Sequence, residues 1–177
     1  MENQIIPAIE FNHVVKLLDG SQIIIRPITY CDRDAILSLF NRVTSETIYL
    51  RYHCCKSRTT SEEVEKYCTL DSYETFILVA ERNHENHSQI IGLAQYDRLR
   101  DSTVAEVSFM VDDKEQGKGI ATHMLKDLAE IAKKQGVKVF LGELMTANSM
   151  MLDILKKYQP NLKQVMDGNT ICVTFDL

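Results

Sequence analysis

Thr75 to Glu81, Gln89 to Arg98 and Thr103 to Val111 read as three consecutive strands, bounded by the short polar turns Asn83 to Ser88 and Leu99 to Ser102. A parallel crossover needs about a dozen residues or more, so these connections predict an antiparallel meander. Directly behind it comes the strongest helical pattern in the chain, Gly117 to Gln135. Ile120, Ala121, Met124, Leu125, Leu128, Ile131 and Ala132 lie on its apolar face, and Gly136 is placed to end it.

The flanking segments are consistent with one mixed sheet. Upstream, Gln22 to Arg26 reads as a strand ended by Pro27. Three helices follow: Cys31 to Arg42, with Thr29 and Asp32 in capping-box spacing; Glu46 to Tyr52; and one opened by Thr60-Ser61-Glu62-Glu63 that buries Val64, Tyr67 and Cys68. Downstream come a strand at Val137 to Leu144, a helix at Asn148 to Tyr158, and strands at Lys163 to Met166 and Thr170 to Phe175 around the hairpin signal Asp167-Gly168. The expected class is mixed α/β, with about seven mostly antiparallel strands flanked by about four helices. Residues 1–15 are expected to be an arm or first strand, and 16–177 a single domain.

Composition narrows the function. The 177 residues carry 20 Lys and Arg against 25 Asp and Glu, a net charge of −5 that argues against a general nucleic-acid binder. No apolar run approaches the roughly 20 residues of a membrane span. Five cysteines, at 31, 54, 55, 68 and 172, form no CxxC pair, and with no signal peptide they suggest a reducing cytoplasm.

The chemistry concentrates in Val111-Asp112-Asp113-Lys114-Glu115-Gln116-Gly117-Lys118-Gly119-Ile120-Ala121, a strand, a loop with two glycines, and a helix start. The first N–H groups of a helix lack intrahelical acceptors and sit at its positive end, so they suit an anionic phosphate. A Walker P-loop needs Ser or Thr after the lysine, and Gly119 follows Lys118. A dinucleotide fingerprint would need glycine where Thr122 stands, and the strands upstream lack βαβ context.

The third pattern, [Q/R]-x-x-G-x-[G/A], is met by Gln116, Gly119 and Ala121, and with it the sequence resembles the GCN5-related N-acetyltransferase (GNAT) superfamily. The resemblance runs from Leu17 to the C-terminus. Its wording is most similar to the catalytic domain of bacterial protein-lysine acetyltransferases, in Leu18-Asp19-Gly20, Ile25-Arg26-Pro27-Ile28, Ser45-Glu46-Thr47-Ile48-Tyr49-Leu50-Arg51-Tyr52, Ala105-Glu106-Val107 and Gly142-Glu143. It implies a GNAT fold and transfer from acetyl-coenzyme A (acetyl-CoA), without a metal, to the ε-amine of a protein lysine. Small amines such as a polyamine or an amino sugar are the alternative acceptors, and a non-catalytic acetyl-CoA-sensing or partner-binding module is the alternative of another class. The expected protein is a cytoplasmic monomer or homodimer that touches neither nucleic acid nor membrane.

A lysine amine is mostly protonated at neutral pH, and freeing it at pH 7 costs about 4.6 kcal/mol, so a base is needed. Period-2 alternation puts Glu106 with Val104, Ser108 and Met110 on one strand face, and Ala105, Val107, Phe109 and Val111 on the other. A lone carboxylate there is costly unless solvated, paired or functional. The resemblance points to the same residue as general base, with Glu143 its rival. It also implies that backbone groups of Phe109, Met110 and Val111 face the pantetheine arm and thioester. Gln116, Gly117, Lys118, Gly119, Ile120 and Ala121 then hold the pyrophosphate, and Asn148, an N-cap by type, touches the cofactor as well. The tyrosine that many members use as general acid is replaced by Leu155, Tyr158 lies too far along the helix, and no side-chain acid is assigned. His84 and His87 read as exposed turn residues, Cys54-Cys55 as small buried hydrophobes, and His123 as either near the phosphates or facing solvent.

Overall fold

In the computed structural model, which describes residues 11–54, 59–69, 73–83, 87–100 and 102–177, the meander forms the middle of one eight-stranded sheet. The strands are β1 (His13–Lys16), β2 (Gln22–Pro27), β3 (Thr75–Asn83), β4 (Ser88–Arg98), β5 (Val104–Val111), β6 (Val139–Met145), β7 (Lys163–Asp167) and β8 (Thr170–Asp176). Their order is β1-β2-β3-β4-β5-β6-β8-β7, and β5 with β6 is the parallel pair in an otherwise antiparallel sheet. The helices are α1 (Arg33–Arg42), α2 (Ser45–Tyr52), α3 (Ser61–Thr69), α4 (Ile120–Lys134) and α5 (Ser149–Tyr158). The mixed α/β class and its antiparallel character stand as expected, with one more strand; the five described α-helices are the five segments read from the sequence, one above the round figure of four.

The eighth strand is β1, the first strand offered as the alternative to an arm; it pairs with β2 from His13↔Ile25 to Lys16↔Gln22 and so runs across the boundary drawn after residue 15. Only Val15 of its four residues is buried, too few positions for an alternating pattern to register. It is tied across the molecule by His13 Nδ1, 3.0 Å from both carboxylate oxygens of Asp127 on α4.

Two local differences have backbone causes. α4 begins at Ile120 rather than Gly117 because Gly117 and Gly119 adopt φ of 76° and 93°, a left-handed conformation in which the chain turns instead of winding. β6 begins at Val139 rather than Val137. The Val137 N–H is spent on the Ala132 carbonyl and that of Gly136 on Lys133, closing α4 in a Schellman motif around Gly136 at φ 85°.

Helices cover both sheet faces. α4 and α5 bury Met124, Leu125, Leu128, Ile131, Met151 and Leu155 against Leu78, Ile91, Tyr96, Val107 and Phe140. α1 and α3 bury Ile36, Leu39, Phe40 and Val64 against Ile77, Val79, Ile90, Leu93 and Met110 on the other face. The Thr60 signal forms a reciprocal capping box, with Thr60 N–H donating to Glu63 and Glu63 N–H to the Thr60 hydroxyl. Gly92 lets α4 approach, since a Cβ there would lie 3.3 Å from both the Met110 carbonyl and the Met124 sulfur.

Candidate active site

β5 and β6 pair only from Val104↔Val139 to Glu106↔Leu141, then part. Beyond the fork lies a cavity of about 880 Å³, lined by the second half of β5, the loop into α4, α2, the end of β6 and α5. That size suits a small-molecule ligand. Side-chain alternation on β5 is as expected, with Ala105 and Val107 in the α4 core and Met110 in the α1 core.

Backbone direction decides which β5 groups reach the cavity. The bonds Asp112 N–H to Ile91 and Leu99 N–H to Val104 fix the antiparallel pattern with β4. Alternation then turns the N–H groups of Val107, Phe109 and Val111 away from β4, towards the gap. The Met110 peptide faces Leu93 of β4 instead, so it is not among the gap-facing donors, contrary to expectation.

At the far end of the cavity the loop delivers the start of α4. Gly119 is its N-cap, and the first N–H groups after it have no i−4 carbonyl inside the helix. Gln116 Nε2 donates to the Val111 carbonyl at 3.1 Å and to the Thr47 hydroxyl at 3.3 Å, bracing the loop. Lys118 is not a free cation here: its Nζ lies 3.0 Å from Glu115 and 3.4 Å from Asp19. Lys114 is exposed and absent from the lining. His123 is half-buried beside Gly119, and burial, with Lys126, holds its imidazole below the usual basicity.

Asp113 escaped the sequence reading. Its carboxylate accepts from the N–H and hydroxyl of Thr44 and the hydroxyl of Thr47, at 2.7–2.8 Å, clamping the loop to the N-terminus of α2. Burial pushes its carboxyl up, but these bonds outweigh it and hold it below the ordinary value. The neighbouring Asp112 pairs with Arg42 at 3.0 Å. Two consecutive carboxylates at a strand end were the available signal; their donors, some 70 positions earlier in the chain, were not legible.

Glu106 stands at the fork itself, lining the cavity, exposed, and without a partner among the described residues. It is therefore solvated rather than enclosed in an apolar strand face. Glu143, near the end of β6, also lines the cavity but has His53 Nδ1 at 3.8 Å. Asn148 caps α5, accepting from Met151 N–H at 3.2 Å, and faces the cavity. Leu155 is buried in the wall. Tyr158 packs edge-to-face on Phe175, 6.1 Å between centroids, outside the lining. Cys54 is exposed, not buried, because it follows the left-handed C-cap His53 out of α2; Cys55 and His84 lie outside the described residues. His87 is exposed. No described helix is long and apolar enough to cross a membrane.

Comparison with known proteins shows the family and the fold. The Acetyltransferase (GNAT) family model matches residues 40–156, more than half of the chain. The chain belongs to the GNAT family of acetyltransferases, whose members use acetyl-CoA. An acetyltransferase of Pseudomonas aeruginosa is 22% identical over 148 residues, covering 83% of this chain and 80% of that protein. The acetyltransferase Pat of Mycolicibacterium smegmatis is 27% identical over 144 residues, 81% of this chain but only 42% of Pat, so the chain spans less than half of that relative. Among solved structures, the GNAT domain of S. lividans PAT superposes with a TM-score of 0.83 at 26% identity, covering 94% of this chain and 97% of that domain.

Proposed function

We propose that this GNAT domain transfers the acetyl group of acetyl-CoA directly to a primary amine, preferably the ε-amine of a protein lysine, with Glu106 as general base. The observation that carries the reading is the position of Glu106: a carboxylate with no partner among the described residues, at the point where β5 and β6 part and the cavity opens. The site's other groups fit an acetyl-CoA-shaped ligand. The turn into α4 and its first residues, Gly117, Gly119, Ile120 and Ala121, line the cavity and suit main-chain donation to the pyrophosphate, with Lys118 of the same turn outside that lining, while Gln116 and Asn148 hold the loop and the α5 cap around it. Phe109 and Val111 turn backbone N–H groups towards the gap, which supports a role for the Val111 N–H in polarising the thioester carbonyl.

In this mechanism Glu106 takes the ammonium proton and the freed nitrogen attacks the thioester carbonyl carbon; the carbon–sulfur bond then breaks, and the second proton shed by the nitrogen as the amide forms balances the departing coenzyme A thiolate, through water. No side chain of this site is assigned to protonate the departing thiolate, since Leu155 occupies the wall position of the usual acid. The lysine preference is supported by the resemblance of Ser45–Tyr52 and Ala105–Val107 to bacterial protein-lysine acetyltransferases.

The test uses labelled acetyl-CoA with a protein lysate and a panel of small amines. Label is expected in protein lysines; label confined to small amines would reassign the acceptor. Glu106→Gln should bind acetyl-CoA as wild type does, lose about 100-fold or more in transfer at neutral pH, and recover in part as pH approaches the acceptor's own pKa. Undiminished transfer at neutral pH would remove Glu106 from the base role.

A further inference from the structure

β7 is the outer strand of the sheet, and all five of its residues, Lys163 to Asp167, are exposed. Val165 and Met166 are 66% and 70% exposed. Edge strands are normally blunted by shortness, proline, a bulge or charges, lysine above all, because their free N–H and C=O groups are a template for another strand; the two charges of β7, Lys163 and Asp167, are of opposite sign and so do not repel a second copy set antiparallel. β7 has no proline and pairs with β8 in unbroken register.

The hairpin fixes which groups are free. Asp167 and Thr170 flank the two-residue loop Gly168-Asn169, which makes them a hydrogen-bonded pair. Alternation turns the backbone groups of Lys163, Val165 and Asp167 towards β8, and those of Gln164 and Met166 outward.

We propose that this edge pairs, antiparallel and about a twofold axis through Val165, with β7 of a second copy of the chain. In that register the outward groups of Gln164 meet those of Met166 in the second copy. Val165 meets Val165 across the axis. Lys163 comes opposite Asp167 of the second copy, twice by symmetry, in the pairs where side chains approach most closely. The strand is thus self-complementary in charge only when antiparallel and centred on Val165; a parallel pairing in register would set lysine against lysine. The contact is isologous and closes on itself. No β7 or β8 residue lines the cavity, so both active sites stay open.

The test is sedimentation velocity over a concentration series reaching the millimolar range. Wild type is expected to show a concentration-dependent dimer. Gln164→Pro removes an outward N–H and leaves the β8 ladder intact, and should be monomeric with acetyl-CoA binding unchanged. Lys163→Glu and Asp167→Lys should each weaken dimerisation at least about tenfold, and the double reversal should restore it. A monomer at every concentration overturns the proposal, as does a dimer indifferent to these changes or a double reversal no better than the singles. If Gln164→Pro fails to fold, the charge reversals decide alone.

Discussion

Asp32 is a carboxylate almost removed from water, and four donors converge on it: Nη1 and Nη2 of Arg26 at 2.8 and 2.7 Å, and the N–H and hydroxyl of Thr29 at 2.7 and 2.8 Å. Burial pushes its carboxyl up, yet Arg26 and Thr29 outweigh it and hold it below the ordinary value. A carboxyl lowered in the folded state contributes stability that is complete above its unfolded pKa, about 3.9, and is lost as pH falls through the folded value. Asp32→Asn should therefore cost roughly 1–3 kcal/mol at pH 7. Urea titrations at a series of pH values should show the gap to wild type closing below about pH 4; a constant gap would mean the ionised form is not what stabilises. The sequence announced Thr29 and Asp32 as a cap, since their spacing is local. It could not announce the Arg26 fork that turns a cap into a buried ion pair, with Glu81 of β3 as the third member, 2.6 Å from Arg26 Nε. Glu106 divides in the same way: its strand face was readable from alternation, its solvation was not, because that depends on where β6 leaves β5.

Among the elements, α4 was the plainest to read and the least accurately bounded at its start. Its apolar stripe fixes the face that packs, but the two left-handed glycines decide where winding begins, and a periodic pattern does not register φ. That start is also where the pyrophosphate is proposed to bind. Gly119→Val would force a β-branched residue into φ 93° and place its Cβ 3.6 Å from Leu18, at the mouth of the cavity. Acetyl-CoA affinity measured by titration calorimetry should fall about tenfold or more, with far-ultraviolet circular dichroism unchanged. Unaltered affinity would detach the α4 N-terminus from pyrophosphate binding. β1 illustrates the opposite limit, a strand with one buried residue whose existence rests on pairing and on the His13–Asp127 contact.

Across the whole molecule the two cores are unequal. The one under α4 and α5 reaches across every strand from β1 to β6 and on to β8, while the one under α1 and α3 draws its buried sheet residues from β3, β4 and β5. Local opening should begin where fewer apolar contacts resist it. In hydrogen exchange, α3 and α1 are expected to exchange ahead of α4 and β4, and acetyl-CoA to protect the start of α4 and the clamped N-terminus of α2. Uniform exchange across both layers would contradict that order. The antiparallel meander and the helix behind it were legible because both are set by short-range periodicity. The cavity was not, because it comes from two strands ceasing to pair, and no residue type encodes the loss of a partner.

The parting of β5 and β6 has an evolutionary corollary. On one side of the opening the donors are peptide groups of Phe109, Val111 and the α4 turn, which substitution leaves in place so long as the chain path is kept. Elsewhere the lining is made of side chains, Arg51, Tyr52, His53, Glu143 and Met150 among them, whose chemistry every substitution changes. Lineages built on this scaffold can thus drift in which amine they accept while the acyl donor stays constant, and divergence between relatives should accumulate on the acceptor wall first.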